Sequence, residues 1–228
     1  MTKKHEQGTD SIEAVESALS RSEQFIEDNQ KIITTVIVII IAIVGIYLGY
    51  KKFYLQPLED EAQSQMFVAA QYFERDSFNL ALNGDVNYPG FLGIIDDYSA
   101  TKAANLANYY AGISYLHLGQ FENAIEYLKS FSASDKMLNP ISLGAIGDAN
   151  MELENKEEAV SFYLKAAEAS VNEFTTPIYL MKAGQAYESI GDYKNALKTY
   201  NQIKEKHKKS AEGRVIEKYI TRAEKNIK

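Results

Sequence analysis

The chain has 228 residues, 46% of them apolar, enough to bury a real core in one or two domains. Its 24 Lys and Arg against 31 Asp and Glu leave a net charge of −7, which excludes a general nucleic-acid binder that relies on a basic surface. Zero cysteines exclude a disulfide framework, a thiolate zinc site and a cysteine nucleophile, so stability must come from packing, and the redox compartment stays open.

Residues 1–31 form an acidic tail. Asp10 followed by Glu13 has the form of a capping box, and Ile12, Val15, Leu19 and Ile26 fall on one helical face, so an amphipathic helix is compatible with this stretch, as is a fraying tail. Residues 32–50 read IITTVIVIIIAIVGIYLGY, 19 residues without a charge. At the helical rise this length spans roughly the 30 Å hydrocarbon core of a bilayer. In lipid every backbone polar group must be satisfied inside the segment, so a run that its Ile and Val content would make a strand in water becomes a transmembrane helix. Tyr47, Tyr50, Lys51 and Lys52 stand where an interfacial anchor belongs. The run is longer than a signal-peptide core, begins only after 31 residues, and lacks a small-x-small cleavage site after it, which favours an uncleaved anchor. Near the membrane the basic residues tie, Arg21 and Lys31 before the span against Lys51 and Lys52 after it. Lys3 and Lys4 tilt the balance towards a cytoplasmic N-terminus. Gly45 and Gly49 make a G-x-x-x-G at which another membrane helix can pack closely.

From residue 58 the apolar spacing is helical throughout. Residues 58–104 read as a degenerate first helical hairpin with an insertion: a helix with an Ala62, Met66, Ala69, Ala70 and Phe73 stripe, turn signals at Asn83-Gly84-Asp85 and Pro89-Gly90, and a short helical piece FLGIIDDY. Three self-similar units follow at 105–138, 140–173 and 177–210. Gly112, Gly147 and Gly184 recur after 35 and then 37 residues, and Ala124, Ala159 and Ala196 keep the same two intervals. These small residues let paired antiparallel helices approach, while Tyr115, Tyr163, Tyr187 and Tyr200 fill the space between them. Gly119 and Gly191 supply the left-handed residue that ends a first helix. The middle unit has Asn150 in place of the aromatic and Glu154 in place of the turn glycine, and Asn155 is the residue expected to take the left-handed backbone there. Pro140 and Pro177 open the second and third units. Residues 211–228 put Val215, Ile216, Tyr219, Ile220 and Ala223 on one face, the form of a capping helix. The pattern resembles the tetratricopeptide repeat. It implies an all-α fold, one transmembrane helix followed by a right-handed α-solenoid with a C-terminal cap.

Nothing in the sequence composes a reaction centre. His5, His117 and His207 lie in no metal-ligand spacing, no P-loop, dinucleotide fingerprint or nucleophile elbow occurs, and Asp96-Asp97 and Glu157-Glu158 are helix neighbours that point about 100° apart. The expectation is therefore no enzyme, cofactor, metal, nucleic acid or small-molecule substrate. The inner faces of the three first helices offer a partner groove: Tyr109, Ile113, Leu116 and His117, then Asp148, Met151 and Glu152, then Ile178, Met181, Gln185 and Glu188. Such a mixed Tyr and Met surface suits adaptable binding of apolar or unfolded segments, and packing of the same stripe against the neighbouring hairpin is an equal alternative.

The order of tail, anchor and repeats, with the stretch from Tyr98 through Thr101 to Ala107, resembles the bacterial YfgM-like family of ancillary Sec translocon subunits. That resemblance implies a single-pass inner-membrane protein with its repeats in the periplasm. The implied partners are Sec translocon subunits and a periplasmic chaperone or secreted polypeptide. The alternative is a repeat scaffold of another envelope complex, in cell division, outer-membrane assembly or secretion.

Overall fold

The computed structural model describes residues 24–132 and 135–227, which fold as two units divided after Pro57. Asp10, Ile12, Glu13, Val15 and Leu19, which carry the expected amphipathic tail helix, lie outside the described residues. Ile26 is helical and exposed. In the first unit α1 (Gln30–Tyr50) contains an 18-residue window of mean hydropathy 2.8 with no residue buried. It is long and apolar enough to cross a membrane. The one hydroxyl within it whose partner is defined, that of Thr35, donates to the Lys31 carbonyl at 2.7 Å, as a polar group in an apolar medium requires. A single π-helical turn, Lys51–Leu55, follows, and Tyr50 stacks on Tyr54 with centroids 5.3 Å apart.

Among the described residues the regular elements of the second unit are all helices, with one isolated bridge. Its first helices are α2 (Gln56–Glu74), which enters the unit at Leu58, α3 (Phe78–Asn83) and α4 (Phe91–Asp97), three helices where the sequence reads as one hairpin with an insertion. The stretch Phe78–Asn83, part of the expected insertion, is helical because it buries Ala81 and Leu82, with Asp76 reversing the chain before it at φ 54° and the expected turn following at Gly84. Gly84 and Pro89 bridge the loop that follows. Asp85 locks that loop by accepting from the Tyr72 hydroxyl at 2.5 Å and from the Asn87 and Tyr88 amides at 2.7 and 2.9 Å, and these bonds hold its carboxyl below the ordinary range. Phe73 sets its edge against Phe78, Phe91 and Tyr110 to close this end of the core.

Three helix pairs follow: α5 (Lys102–His117) with α6 (Phe121–Ser130), α7 (Leu138–Glu152) with α8 (Lys156–Ala169), and α9 (Thr175–Ser189) with α10 (Tyr193–Lys206). Thr101 caps α5 by accepting from the Ala104 amide at 3.0 Å, and Glu59 accepts from the Lys102 amide at 2.6 Å, which ties the first helices to the repeats. Within each pair a glycine of the first helix faces a large residue 16 positions later on the second: Gly112 and Leu128, Gly147 and Tyr163, Gly184 and Tyr200. A Cβ on Gly147 would lie 2.6 Å from the Tyr163 ring, so the aromatic fits only because the glycine is bare. Ala124, Ala159 and Ala196 are fully buried in the same seams.

All three turns between paired helices share one hydrogen-bond pattern. The amides of Gln120, Asn155 and Asp192 reach back to the carbonyls of Tyr115, Asn150 and Tyr187, each at 2.9 Å. The residue before each amide is left-handed: Gly119 at φ 72°, Gly191 at φ 78°, and in the middle repeat Glu154 at φ 60°. Asn155, expected to absorb that backbone, has φ −85° instead, because the motif fixes the reversal by position rather than by residue type. A non-glycine residue held there costs about 1 kcal/mol. Glu154→Gly should therefore raise stability by about 1 kcal/mol, read from the chemical-denaturation midpoint. The lost exposed contact to Lys156 offsets little of it.

The cap, α11 (Ala211–Asn226), continues the array in register. Three polar links each join residues 34 apart: Asp148 to Lys182, Glu173 to His207, and Glu188 to Arg222. The last of these joins α9 to α11, which stands where the first helix of a further repeat would stand.

Candidate partner-binding groove

The first helices α5, α7 and α9 line a groove of about 720 Å³. Leu116 and His117 come from the end of α5, Asp148, Met151 and Glu152 from α7, and Lys182 and Gln185 from α9, with Phe121 and Tyr163 contributed by second helices. At its centre the Lys182 ammonium spans both Asp148 carboxylate oxygens at 2.6 and 2.7 Å, and the Tyr163 hydroxyl donates to the same Asp148 Oδ1 at 2.6 Å. Lys182 also lies 5.7 Å from the Tyr163 ring centroid. Two opposite charges satisfied on each other leave the groove floor neutral at its middle, with the thioether of Met151 and the side chains of Leu116 and Phe121 beside it. His117 lies flat on Phe78 of α3, centroids 4.4 Å apart and planes 2° apart, so α3 backs this side of the groove.

Six of the eleven sequence-predicted groove residues meet here: Leu116, His117, Asp148, Met151, Glu152 and Gln185. The other five lie elsewhere. Met181 is only 8% exposed and belongs to the core shared by the second and third repeats. The reason is helical register, since it stands three residues before Gly184 on the face that α9 turns to its partner helix. Ile113 packs on the cluster of Leu128, Ala145 and Ile146, and Tyr109 on the same cluster and on the rings of Tyr110 and Phe131. Ile178 lines a different notch, and Glu188 is taken by the Arg222 guanidinium of α11. Lys182 was missed, yet its signal was available: an opposite charge 34 residues after Asp148, one repeat period away. Tyr163 was read as filler between helices and also serves the groove through its hydroxyl. Around Gly45 and Gly49 nothing lies within 4 Å, so that face of α1 is open.

Burial, reinforced by the Asp148 hydrogen bond, pushes the Tyr163 hydroxyl far above its ordinary value, and burial with the Asp148 charge pushes Tyr179 up to about 12. Burial, then the Glu188 charge, raises Tyr200 too, and the nearby Arg222 offsets part of that rise. A folded-state value above the unfolded one favours the protonated folded form. The stability tied to the Tyr179 hydroxyl is thus complete below pH 10 and lost as pH rises through about 12, and that of Tyr163 and Tyr200 is lost at still higher pH. Alkaline titration followed by tyrosinate absorbance should show these tyrosines ionising only with unfolding, and a single ordinary transition for all 16 tyrosines would contradict it. Among the described residues no three His, Asp or Glu side chains converge to hold a metal ion.

Residues 106–134 and 179–210 match one family model for the tetratricopeptide repeat, and residues 141–170 match another. A TPR repeat-containing protein of Methanocaldococcus jannaschii is 28% identical over 162 residues, covering 70% of this chain and 26% of the relative, so the chain spans about a quarter of that protein. Two crystal structures of a Podosopora anserina protein with nearly identical TPR-like repeats, named as a kinesin light chain, superpose with a TM-score of 0.56. They are 14% and 15% identical, and each alignment covers 74% of this chain and 87% of the other. Similarity at that identity speaks for the fold. The segments 106–134, 141–170 and 179–210 are three tetratricopeptide repeats, a scaffold for protein–protein interaction.

Proposed function

We propose that this chain is a non-enzymatic, membrane-anchored adaptor, an accessory subunit of the Sec translocation channel. In this reading α1 crosses the bacterial inner membrane with the N-terminus in the cytoplasm. The repeats then stand in the periplasm, where the groove holds a segment of a chaperone or of an emerging secreted chain. The observation that carries the reading is a groove whose central charges neutralise each other beside Met151, Leu116 and Phe121, attached to a chain with one exposed apolar helix long enough to span a bilayer. A thioether surface of this kind adapts to varied apolar segments without demanding a fixed charge pattern. Met151 and Gln185, which face the groove, are the positions at which to place a photo-crosslinker, since Met181 lies in the core. Irradiation of membranes should trap channel subunits or chaperones at these two positions, and recovery of no channel component would overturn the Sec assignment. Protease added to spheroplasts should cut the repeats, whereas protection would reverse the topology.

A further inference from the structure

The net charge of −7 conceals a division: residues 1–193 carry −14 and residues 194–228 carry +7. The basic part shapes a second concavity, separate from the groove. A notch of about 810 Å³ has one wall from the start of α9, with Phe174 and Ile178, and the other from the corner between α10 and α11, with Lys206, Lys208, Lys209 and Arg214. Among the described residues no carboxylate stands within ion-pair distance of these four cations, whereas nearby Lys204 is paired with Glu217 at 2.7 Å. Three carboxylates also line the notch, Glu205, Glu212 and Glu173, the last beside the ring of His207 at 3.2 Å, so the four cations leave its lining net positive.

The apolar wall is presented rather than loosely exposed. Phe174 is 74% exposed, yet its turn is fixed, because Asn172 Oδ1 accepts from the amides of Phe174 and Thr175, both at 2.8 Å. A bulky ring held in water by an ordered turn is already in place for a partner, so little conformational entropy is lost when it is covered. Beside it Ile178 is 40% exposed. An aromatic and an aliphatic side chain facing four cations without ion-pair partners across a net-positive cleft complement a segment that is acidic and carries one large apolar side chain.

We propose that this notch is a second docking site, which takes an acidic peptide segment of a partner protein anchored by an aromatic or large aliphatic residue. Concavity distinguishes this occupant from a lipid surface. A bilayer meets lysine tips on a flat front and leaves the cleft between the two walls unfilled, whereas a peptide fills it with a side chain while its carboxylates reach the cations. The site differs in kind from the groove, where Lys182 is already neutralised by Asp148.

The test uses the full chain in detergent micelles and a short fluorescent peptide with Glu and Asp around one Phe. Fluorescence anisotropy should show binding that weakens with added salt. Replacing the acids of the peptide by Gln and Asn, or its Phe by Ala, should each weaken binding about tenfold. In the protein, Phe174→Ser and the pair Lys208→Glu with Lys209→Glu should do the same, and all three sites are exposed, so melting temperatures matching the parent confirm the fold. Met151→Ala, in the groove, should leave peptide affinity unchanged. Equal affinity for the Gln and Asn peptide, or binding indifferent to both protein variants, overturns the proposal. So does an absence of peptide binding accompanied by adherence to phosphatidylglycerol vesicles, or by self-association of the chain, that the Lys208 and Lys209 reversals abolish.

Discussion

Gly184→Val should destabilise the repeat unit by about 3 kcal/mol, a large fraction of the 5–15 kcal/mol that holds a typical domain folded. The Tyr200 ring occupies the space where a Cβ would go, Tyr200 is itself fully buried, and Ala196 in the same seam has no exposed surface. Neither helix can retreat without opening the core that α9 and α10 share with α11. Thermal or denaturant unfolding followed by circular dichroism reads the effect. Gly45→Val provides the contrast, since nothing lies within 4 Å of that position, and it should leave the melting temperature of the repeats unchanged. Tyr200→Phe separates shape from polarity. The Tyr200 hydroxyl is buried without a hydrogen-bond partner, so its removal should be neutral or stabilising by up to about 1 kcal/mol.

A charge at the middle of α1 should have the other large effect. Ile41 is exposed on a helix with no buried residue, as a lipid-facing side chain would be. Ile41→Arg places a guanidinium near the bilayer centre and should cost about 2.5–3.5 kcal/mol of insertion free energy. Alkaline carbonate extraction should then release chain that the parent retains in membranes. Val86→Arg adds the same charge to a fully exposed loop position of the second unit and should leave the partition unaltered. Equal extraction of the parent and the Ile41 variant would show that α1 is not a membrane anchor.

The residues differ in how much of their structural role they disclose. Gly112, Gly147 and Gly184 are legible because close helix approach admits almost no alternative, and each faces a large residue of the paired helix. Turn glycines are equally plain, since Gly119 and Gly191 take the backbone that only glycine takes cheaply. Glu154 is the counterexample: hydrogen bonds of the surrounding helices impose a conformation that its own chemistry disfavours, and no local signal announces it. Gly144, which seats Tyr179 between neighbouring repeats, escaped notice because that contact crosses repeats of unequal spacing. Groove residues are the least legible. Residues four apart on a helix lie only about 40° apart on the same face, yet the border between core and groove falls between Met181 and Gln185. Lys182 becomes visible only when the sequence is written in rows of one repeat and opposite charges are sought in columns.

The register of α11 bears on how long such an array can be. Every first helix before it offers a glycine to the ring or leucine of its paired second helix, whereas α11 has no second helix among the described residues. A first helix without its partner is an address for engineering. A grafted copy of residues 193–206 after α11 would supply that second helix, and the protein would gain a rung with its own segment of binding surface.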